Sequence, residues 1–419
     1  MTGPRAEPSP RKVRMYDIGF QQALELSLKN TSPLGLETVS TSEILGRVCG
    51  KDVIALIDYP SSDSSLKDGF AVVSEDIAAA TISSSVSLDV VGSVAAGFPC
   101  EVTVNSGEAV RVLSGACIPA GADAVLAEEF AEVLPDRIKA LACAEQGRNI
   151  MFKGSEISKG ETLVREGRVF TPPVISLVVA GGLESVSVYR RPVVGLLATG
   201  DEVLMPGSPP EDGKLFASNL ALQVAWLSSW GIRTVVKCAG DSFPDLTAAV
   251  ESMLSDCDVL LTSGGAWKGE RDLIVKVLDD LGWNQVFYRV RIGPGKAVAM
   301  GFLRGKPVFC LPGGPPSNEI AFLMLAFPAV LRIAGYRGSP YLRLTGILNQ
   351  EVSGQADWTQ VIHCRAEKRN SSIHVIPLER QRRLHSMSRA NGLLLIPEGV
   401  DLIPAGAMVE FDCLTGELL

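Results

Sequence analysis

The chain of 419 residues has nine cysteines, an odd number, and none stands in a CxxC pair. That absence argues against a thiolate zinc site and against the disulfide framework of a small secreted domain. Histidine is scarce too: His363, His374 and His385 have no cysteine or carboxylate cluster beside them and read as surface or core side chains. Positive charge is in deficit, with 39 lysines and arginines against 47 acids and a formal net charge of −8. A general nucleic-acid binder needs a basic face, so that class is set aside, while a local basic pocket for a small anion stays open. No charge-free apolar run reaches membrane-spanning length. The start, MTGPRAEPSPRKVR, is basic and proline-rich with no apolar run behind it, and reads as a loose tail rather than a signal peptide. Low-complexity segments and repeats are missing as well. Together these features place the protein in the cytoplasm, with no membrane and no nucleic acid among its partners.

What is present is globular: 46% hydrophobic and 21% charged residues, in a chain too long for one core. From Val193 to about Ala334, strand-like and helix-like segments alternate, which predicts a parallel sheet wound on both faces by helices. VVGLLATG (193–200) is the first strand, and Ser218 reads as the N-cap of a helix carrying Leu222, Ala225, Trp226 and Ser229. IRTVVKCAG (232–240) is the second, followed from Pro244 by a helix with Leu246, Val250 and Leu254 at helical spacing. A strand at 258–263 leads to a helix from about Glu270 to Leu281, and PVFCL (307–311) leads through PGGPPSNE to an apolar helix. Residues 49–149 and 336–419 are β-rich with glycine and proline punctuation. A helix is expected at 17–30, and residues 15–48 and 150–190 are expected to form one mixed, discontinuous domain. The fold class is therefore multidomain α/β, with a central domain at 191–335 and a flexible tail at 1–14.

In such a sheet, ligands sit beyond the carboxyl ends of the strands. Those ends here carry Thr199-Gly200-Asp201-Glu202, Gly240-Asp241, Ser263-Gly264-Gly265 with Asp272 beyond, and Pro312-Gly313-Gly314. Gly313-Gly314 opens a helix, whose unpaired N–H groups attract an anion such as phosphate. Lys296 in IGPGKAVAMG adds a point charge. Glu202, Asp241 and Asp272 repel phosphate unless a divalent cation bridges them, which points to Mg²⁺. A second polar group lies in PSSDSSLKDGFAV (60–72), where Asp68-Gly69 is equally a hairpin-turn signal.

These motifs, in this order, resemble the molybdopterin molybdenumtransferase family, which includes MoeA and the E domain of gephyrin. The matching pieces are DGFAV (68–72), VLSGACIPAGADAV (112–125), ATGDEV (198–203), SNLAL (218–222), LTSGGAWKGERD (261–272), GPGKAVAMG (293–301), LPGGPPS (311–317) and SMSRANG (386–392). The resemblance implies a homodimer of four-domain subunits that takes adenylylated molybdopterin and molybdate, inserts the metal at the dithiolene and releases AMP with Mg²⁺. It implies catalytic roles for Asp68, Glu202, Asp241 and Asp272, the last three as metal ligands. Substrate contacts fall on Ser114, Thr199, Gly200, Ser263, Gly264, Gly265, Lys268, Lys296, Gly313, Gly314 and Ser317. It also places Asp68 across the subunit interface from the wound domain, and allows hand-over of product to other proteins of the pathway. Tungstate is the alternative oxyanion. The chain departs from the family pattern at Gly293, where a lysine is usual, at Ala217, at Gly313-Gly314-Pro315, at Trp267-Lys268 and at Trp358. Either Lys268 replaces the cation missing at Gly293, or it is solvated and the oxyanion site is lost. Two other functions stay open: a relative that hydrolyses a nucleotide pyrophosphate without metal insertion, and a non-catalytic dimeric scaffold.

Overall fold

A strand that is apolar on both faces has to be covered on both, and Val193–Thr199 is such a strand. Val194, Leu196 and Ala198 enter one buried cluster, and Leu197 enters another. Val259, Leu261, Phe309 and Leu311 join the first side, and Leu260, Val308 and Cys310 the second. Successive side chains on a strand point to opposite faces, so helices must close both.

The computed structural model, which describes residues 15–264, 273–378 and 382–414, supplies those helices. Ser218–Ser229 and the continuous helix Pro315–Ile333 cover the first face, and Phe243–Asp256 with Leu273–Asp280 the second. The strands lie in the order Arg233–Ala239, Val193–Thr199, Val259–Ser263, Lys306–Leu311, all parallel. The chain goes to one side of Val193–Thr199 for its next strand and to the other side for the one after. The crevice beyond the ends of Val193–Thr199 and Val259–Ser263 is therefore the topological switch point, where wound sheets bind ligands.

The helices follow their sequence signals with two exceptions. Phe243–Asp256 is capped by Ser242, whose hydroxyl accepts from the Asp245 N–H at 3.2 Å, and it buries Leu246, Val250 and Leu254. Ser218, by contrast, is not the N-cap of its helix. Ala217 holds that place with no side-chain bond, and Ser218 is already helical. The buried face of that helix is Leu220, Gln223 and Leu227, one position off the expected stripe, with Leu222 and Trp226 only partly covered. Pro315–Ile333 is long and apolar enough by composition to cross a membrane, yet 78% of its apolar window is buried inside this unit. Beyond Lys306–Leu311 the sheet also departs from the parallel expectation: Ala299–Leu303 and Asn284–Gly293 add an antiparallel hairpin. Ile292 and Gly293 then pair with Thr359 and Gln360, joining the C-terminal β strands built around Phe411.

The chain divides into two compact units, Met1–Glu37 with Tyr189–Leu419, and Thr38–Val188. Of the expected grouping of residues 15–48 with 150–190, the stretch up to Glu37 falls in the other unit. Met15–Gly19 is a strand, not the start of a helix, and it pairs in parallel with Asn284–Gly293. The helix begins only at Phe20, which buries its ring in the cluster around Phe287. From Thr41 onward the chain does meet the later segment, through Thr41 N–H to Glu184 O at 2.9 Å and the bridge between Cys49 and Val188. Ile44, Phe170, Val174 and Val178 share the core of that part.

The rest of the Thr38–Val188 unit is a six-stranded sheet in the order Ala124–Ala127, Gly69–Val72, Glu108–Val112, Val86–Val94, Arg137–Ala140, Ala131–Val133. Asp68-Gly69 is not a hairpin tip. Gly69 opens a central strand, and a Cβ there would strike the carbonyl of Leu126 on the neighbouring strand. The glycine is required by close approach of backbones rather than by turn geometry.

Candidate functional site

The switch point is lined by backbone held closer than side chains allow. Gly264 has φ +106°, and a Cβ there would lie 2.6 Å from the Thr199 carbonyl and 2.9 Å from its hydroxyl. Gly200 has φ +139°, and a Cβ there would lie 2.6 Å from Oε2 of Glu202, whose carboxylate folds back over the strand end. These positions are left to glycine because other residues pay for φ > 0 in sterics. Thr199 is only 4% exposed, and its Oγ1 has no hydrogen-bond partner among the described residues. An unpaired buried hydroxyl costs free energy unless a ligand or water satisfies it.

Ser263 is fixed by side chains that the sequence reading did not name. Asn219 Nδ2 donates to Ser263 Oγ at 3.1 Å and to Gly313 O at 2.8 Å. Asn318 Nδ2 donates to Ser263 Oγ at 3.0 Å and to Pro312 O at 2.7 Å, while its Oδ1 accepts from Gln223 Nε2 at 2.7 Å. A serine hydroxyl has two lone pairs and one proton. With both lone pairs occupied, the Ser263 proton is left to donate outward. The signal for this network was in the sequence: Gln223 stands between Leu220 and Leu227 on a buried face, and Asn318 abuts an apolar run. Buried amides in such places need partners.

The carboxylates sit on adjacent strand ends. Asp201 Oδ1 accepts from the Asp241 N–H at 2.9 Å, so Asp201 ties the two loops together, and a Cβ at Gly240 would crowd it at 2.9 Å. Glu202 is exposed and Asp241 half-buried. Among the described residues, no three histidine, cysteine, aspartate or glutamate side chains are grouped to hold a metal ion. Mg²⁺ takes one or two carboxylates and completes its shell with waters and substrate phosphates. Glu202 and Asp241 fit that partial, hard-oxygen set. Asp272, the third expected ligand, lies outside the described residues, as do Gly265 and Lys268.

Lys296 and Ser317 belong to a different wall. They line a cavity of about 610 Å³ together with Trp358, His363, Arg383 and Ser386. Its described lining contains two cations and no carboxylate, the reverse of the strand ends. Lys296 Nζ lies 5.6 Å from the Trp358 ring centre, a cation–π contact that holds the ammonium over the cavity wall. His363 is partly buried and paired with Glu319, Nε2 to Oε2 2.6 Å, which accounts for it as a structural side chain. Gly293 also borders this space, and a Cβ there would meet Gln360 Nε2 at 2.9 Å. A lysine at 293 would therefore have to displace Gln360.

One segment, Leu311–Asn318, joins the two walls. At its start, a Cβ on Gly313 would lie 3.5 Å from Gly264 Cα; at its end, a Cβ on Gly295 would lie 3.3 Å from Ser317 O. The expected row of anion-binding N–H groups is shorter than the sequence reading had it, because Pro315 and Pro316 follow the Gly314 cap and carry no N–H. A larger cavity, about 730 Å³, lies elsewhere in this unit near Phe20. Two of its arginines are already matched, Arg291 with Glu398 and Arg343 with Asp412, so it offers little charge to an anion.

Asp68 and Ser114 belong to the Thr38–Val188 unit. Asp68 Oδ1 accepts from the Ser114 N–H at 2.6 Å. That bond, assisted by the serine side chain, holds the Asp68 carboxyl below the ordinary carboxylate range. Both residues are exposed.

The comparisons cover both units. The family model for the MoeA N-terminal region (domain I and II) matches residues 18–182, and the one for a probable molybdopterin binding domain matches 195–332. The molybdopterin molybdenumtransferase of Staphylococcus epidermidis is 26% identical over 94% of this chain and 94% of its own length. Molybdopterin molybdenumtransferase 2 of Mycobacterium tuberculosis is 29% identical over 89% and 94%. Among solved structures, the molybdopterin biosynthesis MoeA protein of Pyrococcus horikoshii is 31% identical, covers 96% of this chain and 100% of its own, and superposes with a TM-score of 0.83. With both family models in chain order and a relative of this identity matched from end to end, the chain belongs to the MoeA family.

Proposed function

We propose that the chain is a transferase of molybdenum cofactor biosynthesis that inserts molybdenum into molybdopterin. It takes adenylylated molybdopterin and molybdate as substrates and releases AMP in a Mg²⁺-dependent step in the cytoplasm. The observation that supports this most is the joining, by residues 311–318, of a glycine-lined, acidic switch point to a cavity whose described lining carries cations and no carboxylate. A pyrophosphate-linked pterin and an oxyanion need opposite surroundings. The first can share a divalent cation with carboxylates; the second is repelled by them unless they are kept away.

On this reading Gly200 and Gly264 let the pyrophosphate or pterin end approach backbone, and Ser263 donates its proton to a substrate oxygen. Glu202 and Asp241, with Asp272, hold Mg²⁺, which when bound neutralises charge building on the departing phosphate. Lys296 and Arg383 attract molybdate, and Ser317 and Ser386 offer hydroxyl donors beside them. Asp68 and Ser114 complete the site from a second subunit, so the working form is a homodimer, and its product passes to other proteins that carry or use the cofactor.

The test is incubation with adenylylated molybdopterin, Mg²⁺ and molybdate, with AMP and pterin-bound molybdenum counted separately. The reading requires both products. AMP without molybdenum would make the chain a hydrolase, and neither product would leave a scaffold.

A further inference from the structure

We infer that Cys100 and Cys117 form a reversible disulfide that tethers the segment 96–100 to the turn carrying Ser114. Their two segments are held together on either side of the two cysteines. Thr103 and Ala120 form a parallel bridge, with Val104 N–H bonded to Ala120 O at 2.8 Å. Counting back three residues along each segment reaches Cys100 and Cys117. The segments also touch nearer the turn, where a Cβ on Gly115 would lie 3.5 Å from Ala96 Cβ.

The thiols themselves bear this out. Both are free and only partly buried. Burial pushes the Cys100 thiol up, and the Cys117 sulfur beside it adds to that rise. Among the described residues each thiol otherwise makes a long contact to a nearby carbonyl, Cys100 Sγ to Val102 O at 3.9 Å and Cys117 Sγ to Ile118 O at 3.6 Å. The deeply buried cysteines differ: burial pushes Cys257 up to about 11 and Cys310 and Cys364 up to about 12. Those three are poor nucleophiles at neutral pH.

A small-molecule disulfide supplies the oxidant. The Cys117 thiolate attacks one of its sulfurs, forming a mixed disulfide and expelling one small thiolate. Cys100 then loses its proton and attacks Cys117 Sγ, expelling the second thiol. Two protein thiols become one disulfide, and the small disulfide becomes two thiols. The new bond joins the 96–100 segment to a turn only three residues past the N–H that holds Asp68.

The experiment is equilibration of the whole chain with oxidised glutathione, followed by alkylation and peptide mapping without reduction. A peptide linked through Cys100 and Cys117, lost on adding dithiothreitol and absent from Cys100→Ser and Cys117→Ser, is expected. Single glutathione adducts at these two positions, or unmodified thiols, would overturn the assignment. Hydrogen exchange at the Ser114 amide should slow in the oxidised protein, and an unchanged rate would overturn the tether.

Discussion

Ser263 is the residue whose chemistry is most fully determined, since Asn219 and Asn318 both donate to it and leave its proton free to leave the network. Hydrogen bonds to charged groups contribute about 1.5–3 kcal/mol, so Ser263→Ala should weaken binding of the pterin nucleotide by roughly tenfold to a hundredfold. Calorimetric titration checks this, and an unchanged affinity would remove Ser263 from the substrate site. Asp68 makes a second prediction. Its carboxyl is held low by the Ser114 N–H, so the folded form binds its proton less readily than the unfolded chain. Whatever this bond adds to stability is present above the unfolded pKa and disappears as pH falls through the lower folded value, not at neutral pH. Carboxyl NMR titration should give an Asp68 midpoint below that of ordinary aspartates. A midpoint at or above theirs would contradict the bond.

At the scale of elements, the strand-end loops separate glycines that the fold needs from those it tolerates. Gly264→Ala combines positive φ with a clash against Thr199 and should both destabilise the protein and abolish nucleotide binding. Gly314→Ala meets open space and should fold and bind normally. Thermal unfolding and titration on the pair decide it, and equal behaviour would mean the crevice is looser than described. Ser242→Ala should cost about 1 kcal/mol by denaturant unfolding, the usual loss for an N-cap. These elements also show what could be read in advance. The wound strands and the Ser242-capped helix were legible because apolar alternation and a capping serine act locally. The place of Met15–Gly19 was not, because its partner strand lies more than two hundred and sixty residues away and nothing near it signals that pairing. The sequence shows the missing lysine at Gly293 but not Gln360 standing beside it, a contact that arises only where two domains share a sheet edge.

For the whole molecule, the motifs gave the residue types of the site, but not how they divide. Asn219, Asn318 and Gln223 became visible only when strand ends and helix starts were brought together. Lys296 is expected beside the glycine pairs, yet it lines a separate wall against Trp358, with no carboxylate among that wall's described residues. The central claim is that these two walls serve two substrates. It is tested by following molybdenum incorporation as a function of each substrate in Lys296→Ala and in Ser263→Ala. Lys296→Ala should raise the molybdate concentration for half-maximal incorporation by about tenfold or more, the loss of one charge-assisted bond, and leave the pterin nucleotide dependence unchanged. Ser263→Ala should do the reverse. If both variants shifted the same substrate, or shifted both alike, the two walls would be one site and the account would be wrong.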